Sequence, residues 1–297
     1  MIRHLIAALA LTVFACAAPA PALAAGSGTP VLPISATCTT FAAALTAVAP
    51  GGTIVLTSAT PCPSIAVTGK SYKPGIVVDA TAATLTSVAL NGVVGLSWHG
   101  GNFDGANKTS TAWSAGTSSF VGVEGATMRN YLRNNIIIGS SSDFRVVGNW
   151  MSRSGADGID IALSRRGVID GNLCSDPDTT TGSHPDCIQL WSRPEQPPVS
   201  FITITRNMAF GLMQGINGFN HVRGGINDGG FDNITVADNL IAVAMPDGIY
   251  FTDCRNCSFK GNHFYTPHGA AHWTNFTING VSTGSLLASD QSFQDNR

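Results

Sequence analysis

Five short segments end a strand-like run on an asparagine and then resume: Phe144 to Trp150, Gly167 to Leu173, Ile202 to Met208, Ile234 to Leu240 and Cys257 to His263. Aligned on Asn149, Asn172, Asn207, Asn239 and Asn262, they place Val146, Ile169, Ile204, Val236 and Phe259 three residues earlier. The outer steps of the series are 23 residues and the two between are 35 and 32, the pattern of one regular coil in which loops swell individual turns. A strand-rich repeat of this period restricts the chain to a parallel β-solenoid. Asparagines stacked from coil to coil can bond one another and the flanking backbone at a bend. Looser copies stand at Asn102 and Asn130.

A second register follows each asparagine: Ile159, Ile188, Ile216 and Ile249 align as one inward column. Period-2 alternation then turns Asp160, Gln189, Asn217 and Tyr250 outward, with Ala162, Trp191, Phe219 and Thr252 two residues further on. With 33 glycines and only 11% charged residues, the chain suits narrow coils better than helices. A net charge of −2 gives no general attraction to nucleic acid or membrane, and no membrane span is expected.

Residues 1–25 read as a signal peptide, with a basic start, an apolar stretch from Leu5 to Ala18 and a small-residue site at Ala22-Leu23-Ala24. This predicts a secreted or periplasmic protein; Val13-Phe14-Ala15-Cys16 raises an outer-membrane lipoprotein as the minor alternative. Six cysteines then remain, and proximity pairs Cys38 with Cys62, Cys174 with Cys187 and Cys254 with Cys257. The domain reading is a disordered lead over 26–37, a solenoid over 38–265 with an N-terminal cap, and a C-terminal cap or tail over 266–297.

From Cys38 to Leu56 the sequence reads as a short helix, a Pro-Gly-Gly break and a first strand, a plug for an open solenoid end. With this cap, the Gly-Gly-Thr-Ile-Val-Leu strand and the asparagine-marked coils, the chain resembles the pectin-lyase-like superfamily. That resemblance implies an all-β, single-stranded right-handed parallel β-helix over roughly Cys38 to Tyr265.

Counting forward from each isoleucine brings Arg165 and Arg166, then Arg193, then His221 and Arg223, then Arg255 to one strand exit, in a chain with 16 Lys and Arg in all. Guanidinium groups pair with carboxylates, and Trp191, Phe219 and Tyr250 offer flat faces for sugar rings. Together with Asp160 and Gln189 they form an expected substrate-binding set for an acidic polysaccharide. The structural alternative is a solvated row balanced by Asp160, Asp253 and Glu195.

His184-Pro185-Asp186-Cys187 is the sharpest local motif, and His184 sits in the longest insertion. Asp157, Asp186 and Asp247 share one position before the isoleucine step, where a carboxylate also serves turn amides. Ala156-Asp157-Gly158 and Pro185-Asp186-Cys187 partly resemble the catalytic runs of polygalacturonases. Pro185 stands where that family has a carboxylate, His221 lies in Asn-His-Val, and no Arg-Ile-Lys follows.

The expected activity is therefore a polysaccharide lyase acting by β-elimination, with His221 as base and Arg193, Asp186 and His184 beside it, and Arg193 or Arg223 neutralising the uronate carboxylate. The alternatives are a glycoside hydrolase using Asp157, Asp160 and Asp186, a C5-epimerase, and a non-catalytic polysaccharide-binding solenoid. No cofactor is required by this reading; Ca²⁺ held by Asp157, Asp160 and Asp186 is its one optional ion, and the protein is expected to act as a monomer.

Overall fold

The computed structural model describes residues 31–220, 225, 229–271, 274–279, 287–289 and 292–295. Residues 1–25, read above as a signal peptide, and His221 and Arg223 fall outside them. The chain winds a parallel β-solenoid of about 10 turns, 55% strand and 4% helix. Three sheets form its walls: a first of 13 strands, a second of 9 and a third of 9. A representative coil runs from Ser142–Val147 in the first sheet to Trp150–Ser154 in the second and Ile159–Ala162 in the third, and then returns to the first at Arg165–Asp170.

The asparagine ladder occupies the bend from first to second sheet. Asn149 donates its backbone N–H to Asn172 Oδ1 (3.0 Å) and its side-chain Nδ2 to the same oxygen (2.9 Å). Asn172 repeats this with Asn207, Asn207 with Asn239, and Asn239 with Asn262. Each Nδ2 also reaches back to a backbone carbonyl on the preceding coil, for instance Asn207 to Ile169 O at 3.0 Å. All five side chains are buried. The bend itself is one left-handed residue before each asparagine: Gly148, Gly171, Arg206, Asp238 and Gly261.

Asn102 and Asn130 do not continue this ladder. Asn102 pairs in register with Thr127 and hence with the Trp150 position, and Asn130 donates to Asp104 Oδ1 at 3.0 Å. Ala126 takes the next place, giving its N–H to Asn149 Oδ1 at 3.0 Å. A second ladder of serines lines the bend from third to first sheet: Val93 N–H to Ser118 Oγ, Ser118 N–H to Ser141 Oγ, and Ser141 N–H to Ser164 Oγ, at 3.0 to 3.1 Å.

The core is a set of stacked columns. Ile159, Ile188, Ile216 and Ile249 are fully buried, as are Val146, Ile169, Ile204, Val236 and Phe259. Toward the C-terminus the filling becomes aromatic, with Phe231, Phe251, Phe259 and Phe276 meeting edge to face at centroid distances of 5.4 to 5.6 Å. Helix α1 (Phe41–Ala47) closes the N-terminal end through Phe41, Ala44 and Leu45, and Phe41 meets Trp98 at 5.8 Å.

Two boundaries differ from the sequence reading. Ile34–Ala36, within the segment read as a disordered lead, is a strand paired with Ile54–Leu56, where it covers the sheet edge beside α1. Beyond Tyr265 the repeat continues: Asn275–Asn279, Leu287–Ser289 and Ser292–Asp295 extend the third, first and second sheets in parallel register. The connection after Thr266 hides that last coil from a search for asparagine spacing.

The ladder makes a stability test direct. Replacing Asn207 by Leu removes side-chain bonds to the coils on both sides, leaving the Asn172 N–H and Nδ2 without their shared acceptor and Asn239 Oδ1 with only the backbone N–H of residue 207, so the expected loss is roughly 1 to 3 kcal/mol in chemical denaturation. A denaturation midpoint equal to that of the parent would contradict the ladder's role.

Candidate active site

In the third sheet Asp160 faces Gln189, Gln189 faces Asn217 and Asn217 faces Tyr250 on successive coils. Asp186 faces Gln214 in the same way, and Asp157 precedes Ile159 by the two residues that separate Asp186 from Ile188. Alternating polar and apolar residues place one face of each strand in the core and the other outward, and Ile136–Gly139 and Ile159–Ala162 obey this pattern. Asp186–Trp191 and Gln214–Phe219 do not, because both faces of these two strands are buried. Gln189 and Asn217, read from the sequence as outside residues, are thus enclosed, with Asn217 at 0% exposure. Asp157 and Asp186 are also buried.

A polar chain crosses these coils. Asp157 Oδ1 accepts the Asp186 N–H at 3.0 Å, and Asp186 Oδ1 accepts Asn217 Nδ2 at 2.8 Å. Asn217 Nδ2 also reaches Gln214 Oε1 at 3.0 Å, and Gln214 Nε2 reaches Asp247 Oδ2 at 3.2 Å. Asn134, in the Asp157 position one coil earlier, donates to Asp160 Oδ2 at 3.1 Å. Among the described residues four buried acceptors stay without a hydrogen-bond partner, Asn135 Oδ1 beside Asn134 and, within this chain of contacts, Asp160 Oδ1, Asp186 Oδ2 and Asn217 Oδ1. Buried polar atoms are rarely left so, and the last three belong to a single cluster.

Burial governs the ionisation of the cluster. It pushes Asp157 up to about 7, with the Asp160 charge adding to the rise against the Asp186 amide and the Arg133 charge. Asp160 rises to about 6, again through burial, held back by the Asn134 amide and by the charges of Arg133 and Arg193. Asp186 lies well above the ordinary carboxylate range through burial, reinforced by Asp157. Burial also raises Asp247. Burial thus raises every carboxyl of the cluster, with the Asp157 charge adding to the rise of Asp186 and two guanidinium groups opposing that of Asp160.

Local covalent structure holds Asp186 in place. Cys174 and Cys187 are bonded, closing the insertion that delivers Asp186 to its strand. Gly158 makes room for that bond, since a Cβ there would lie 2.8 Å from Cys174 Sγ and 2.7 Å from Cys187 O. The pairs Cys38–Cys62 and Cys254–Cys257 are formed as read from the sequence. Within the insertion Ser183 Oγ donates to Gly155 O, and His184 lies exposed on a groove of about 570 Å³ that it shares with Leu212, Gln214, Met245 and Pro246. Gln214 links this groove to the cluster.

The expected cation strip is divided. Arg193 is exposed just after the Asp186–Trp191 strand, and its charge acts on Asp160. Arg165 and Arg255 instead lie in strands of the first sheet, Arg165–Asp170 and Cys254–Arg255, where the coils between them carry Ser200 and Asp232. Arg166 is bound bidentately to Asp143, and Arg255 is paired with Asp232 and Asp253. The insertion between Trp191 and Val199 shifts the count from each isoleucine, and the acidic partners Asp143 and Asp232 come from other coils. Arg133 escaped the reading because it precedes its isoleucine. Its signal was the run Arg133-Asn134-Asn135, in register with the approach to Asp157.

The aromatic residues do assemble. Trp191 faces Phe219 across adjacent strands, and the Phe219 and Tyr250 rings lie 5.4 Å apart at 36°. No group of three or more His, Cys, Asp or Glu side chains among the described residues is arranged to hold a metal ion. Asp157, Asp160 and Asp186 therefore do not fit as a calcium site.

No protein-family model and no curated protein matches the chain. Solved structures do. An alginate lyase from Paenibacillus sp. str. FPU-7 superposes with a TM-score of 0.58 at 13% identity, over 88% of this chain and 95% of that one. An endo-xylogalacturonan hydrolase from Aspergillus tubingensis gives 0.57 at 13% identity, over 89% and 95%. A Family 28 exopolygalacturonase from Yersinia enterocolitica gives 0.52 at 11% identity, over 89% and 68%. The fold is that of the pectin-lyase-like right-handed parallel β-helices.

The raised carboxyl of Asp157 fixes the sign of a pH effect. An unfolded aspartate titrates near 3.9, so between about pH 4 and pH 7 the folded protein holds a proton that the unfolded chain has released, and stability falls as pH rises through that window. Asp157→Asn keeps an oxygen for the Asp186 N–H and cannot ionise. Urea denaturation should show the variant close to the parent at pH 4 and more stable by roughly 1 to 3 kcal/mol at pH 8. An unchanged pH slope would remove Asp157 from the cluster's titration.

Proposed function

We propose that the protein is an exported enzyme that cleaves an acidic, uronate-containing polysaccharide by hydrolysis at the Asp157–Asp160–Asp186 cluster. The observation that carries this reading is the pair of unpartnered carboxyl oxygens, Asp160 Oδ1 and Asp186 Oδ2, on carboxyls that burial raises unequally: Asp160 to about 6 against the charges of Arg133 and Arg193, and Asp186 well above the ordinary range with the Asp157 charge adding to the rise. Environments that separate two carboxyls in this way assign an acid and a base. Asp186, which keeps its proton, gives it to the glycosidic oxygen as the bond from that oxygen to the anomeric carbon breaks. Asp160 takes a proton from water as the water oxygen joins the anomeric carbon. Asp160 also supplies the carboxylate that Pro185 denies to the Asp186 strand.

Substrate class follows from what surrounds the pair. Arg133 and Arg193 are exposed and act electrostatically on Asp160, which suits a sugar carrying its own carboxylate. The Trp191, Phe219 and Tyr250 shelf suits the apolar faces of pyranose rings. Three disulfides fit an oxidising compartment, and no helix among the described residues is long and apolar enough to cross a membrane.

β-Elimination is the second reading, favoured by the same two arginines. They would neutralise the uronate carboxylate while Asp160 or His221 removes the proton beside it. Product analysis separates the two. Incubation with polygalacturonate and alginate should release reducing ends without ultraviolet-absorbing unsaturated ends, and Asp186→Asn should lower turnover by about 10² to 10⁴. Unsaturated ends from the parent would replace hydrolysis by elimination, and full activity in the Asp186→Asn variant would dismiss Asp186 as the acid.

A further inference from the structure

One position near the start of the first-sheet strands is left-handed on consecutive coils: Gly95, Phe120, Asp143, Arg166, Phe201, Asn233 and Asn256. Glycine, asparagine and aspartate tolerate that conformation, and they hold four of these places. Bulky side chains avoid it. Phe120 and Phe201 nevertheless adopt φ of +53° and +57°. They are also 62% and 57% exposed, so burial does not offset the unfavourable backbone. Neither local propensity nor core packing explains these two phenylalanines, and a strained, exposed aromatic is a reason to look for a ligand.

Their surroundings specify its chemistry. Phe120 and Phe201 are three coils apart, about 14 Å along the solenoid axis at ordinary strand spacing. Between them lie Asp143 and Arg166, joined by two hydrogen bonds of 2.7 and 2.6 Å. The adjoining position on these coils carries Ser119, Ser142, Arg165 and Ser200. Arg165 is exposed and close enough for its charge to act on Asp143, so two guanidinium groups face one carboxylate and leave an excess of one positive charge. An apolar protein partner would require a contiguous greasy patch. This strip instead alternates flat rings with hydroxyls and a cation, the complement of an extended chain of sugars bearing carboxylates.

We infer that Phe120, Arg165, Arg166 and Phe201 form a second polysaccharide-binding strip on the first sheet, separate from the carboxylate cluster. One acidic polymer strand lies along the solenoid axis, with rings stacked on the two phenylalanines and a uronate carboxylate held at Arg165. The inference takes its ligand class from the proposed function, but it concerns retention of the polymer and leaves cleavage to the other site.

The test uses the full chain and the double variant Phe120→Asn, Phe201→Asn, whose new residues accept the left-handed backbone, so that the melting temperature should stay equal or rise. Affinity electrophoresis in gels containing polygalacturonate or alginate should show at least about tenfold weaker retention of the variant. Turnover of a short oligouronide should be unchanged. Equal retention of parent and variant, or no retention of the parent in either gel, would overturn the strip. A parent that forms a dimer in solution which the double variant cannot form would also overturn it, by assigning the two rings to self-association. Failure of the catalytic reading is read elsewhere, as absence of turnover by the parent or indifference to Asp186→Asn, whatever the gels show.

Discussion

Everything in this molecule depends on keeping successive coils in register, and the buried amide ladder from Asn149 to Asn262 is what does so. Parallel strands tolerate slippage wherever side chains of neighbouring coils are alike, and here two of the core columns, Ile159 to Ile249 and Val146 to Val236, are uniform in isoleucine and valine. Apolar packing alone would accept a shift of two residues with little penalty. The ladder would not, since each Asn oxygen from Asn172 onward accepts both a backbone N–H and a side-chain amide from the coil before. A slip would strand those groups in a dry interior, and every ladder step forbids it again.

That register lets a sheet carry chemistry. Once the isoleucine column is fixed, Asp160, Gln189, Asn217 and Tyr250 must follow one another at strand spacing. Asp157 must likewise stand beside Asp186, close enough to accept its N–H. Burying three carboxyls together is unfavourable, and a small domain with few cross-coil bonds would relax to release them. The solenoid holds them because the strands below and above are bound independently on two other sheets. Raised carboxyl affinities for protons thus follow from rigidity at a distance, and the disulfide from Cys174 to Cys187 tightens the one coil where a long insertion would otherwise let Asp186 move.

What the sequence disclosed was whatever repeats. The ladder, the isoleucine column, the capping helix and the three disulfides were all legible, the last through proximity along the chain. Asp157 and Asp186 were legible because they recur, with Asp247, at one position before the isoleucine step. Residues defined by contacts between distant coils were not. Arg166 reads as a free cation until Asp143, 23 residues earlier, is seen to bind it. Asn130 reads as a ladder member until its register shows it bonded to Asp104. Serines are too common for Ser118, Ser141 and Ser164 to announce a second ladder. The deep burial of Asn217 and Gln189 was hidden for another reason: alternation predicts the direction in which a side chain points, and it carries no information about what covers it.

The coils that bury their outward residues are the ones that break the 23-residue step. From Asn149 to Asn172 the chain makes a plain turn, and Asp160 on that turn is only half-buried. From Asn172 to Asn207 and from Asn207 to Asn239 the steps lengthen to 35 and 32, and on those coils Gln189 and Asn217 are enclosed. The added residues fall at the corners of the third sheet, between Cys174 and Asp186, between Trp191 and Val199, and after Phe219. Insertions at corners leave the ladder and the core columns untouched, because every strand they connect is already held by its neighbours on adjacent coils. They can therefore lengthen without loss of fold. The frame that fixes these two carboxyls is thus indifferent to loop length, and it sets Asp186 on a coil with insertions and Asp160 on the plain coil beside it.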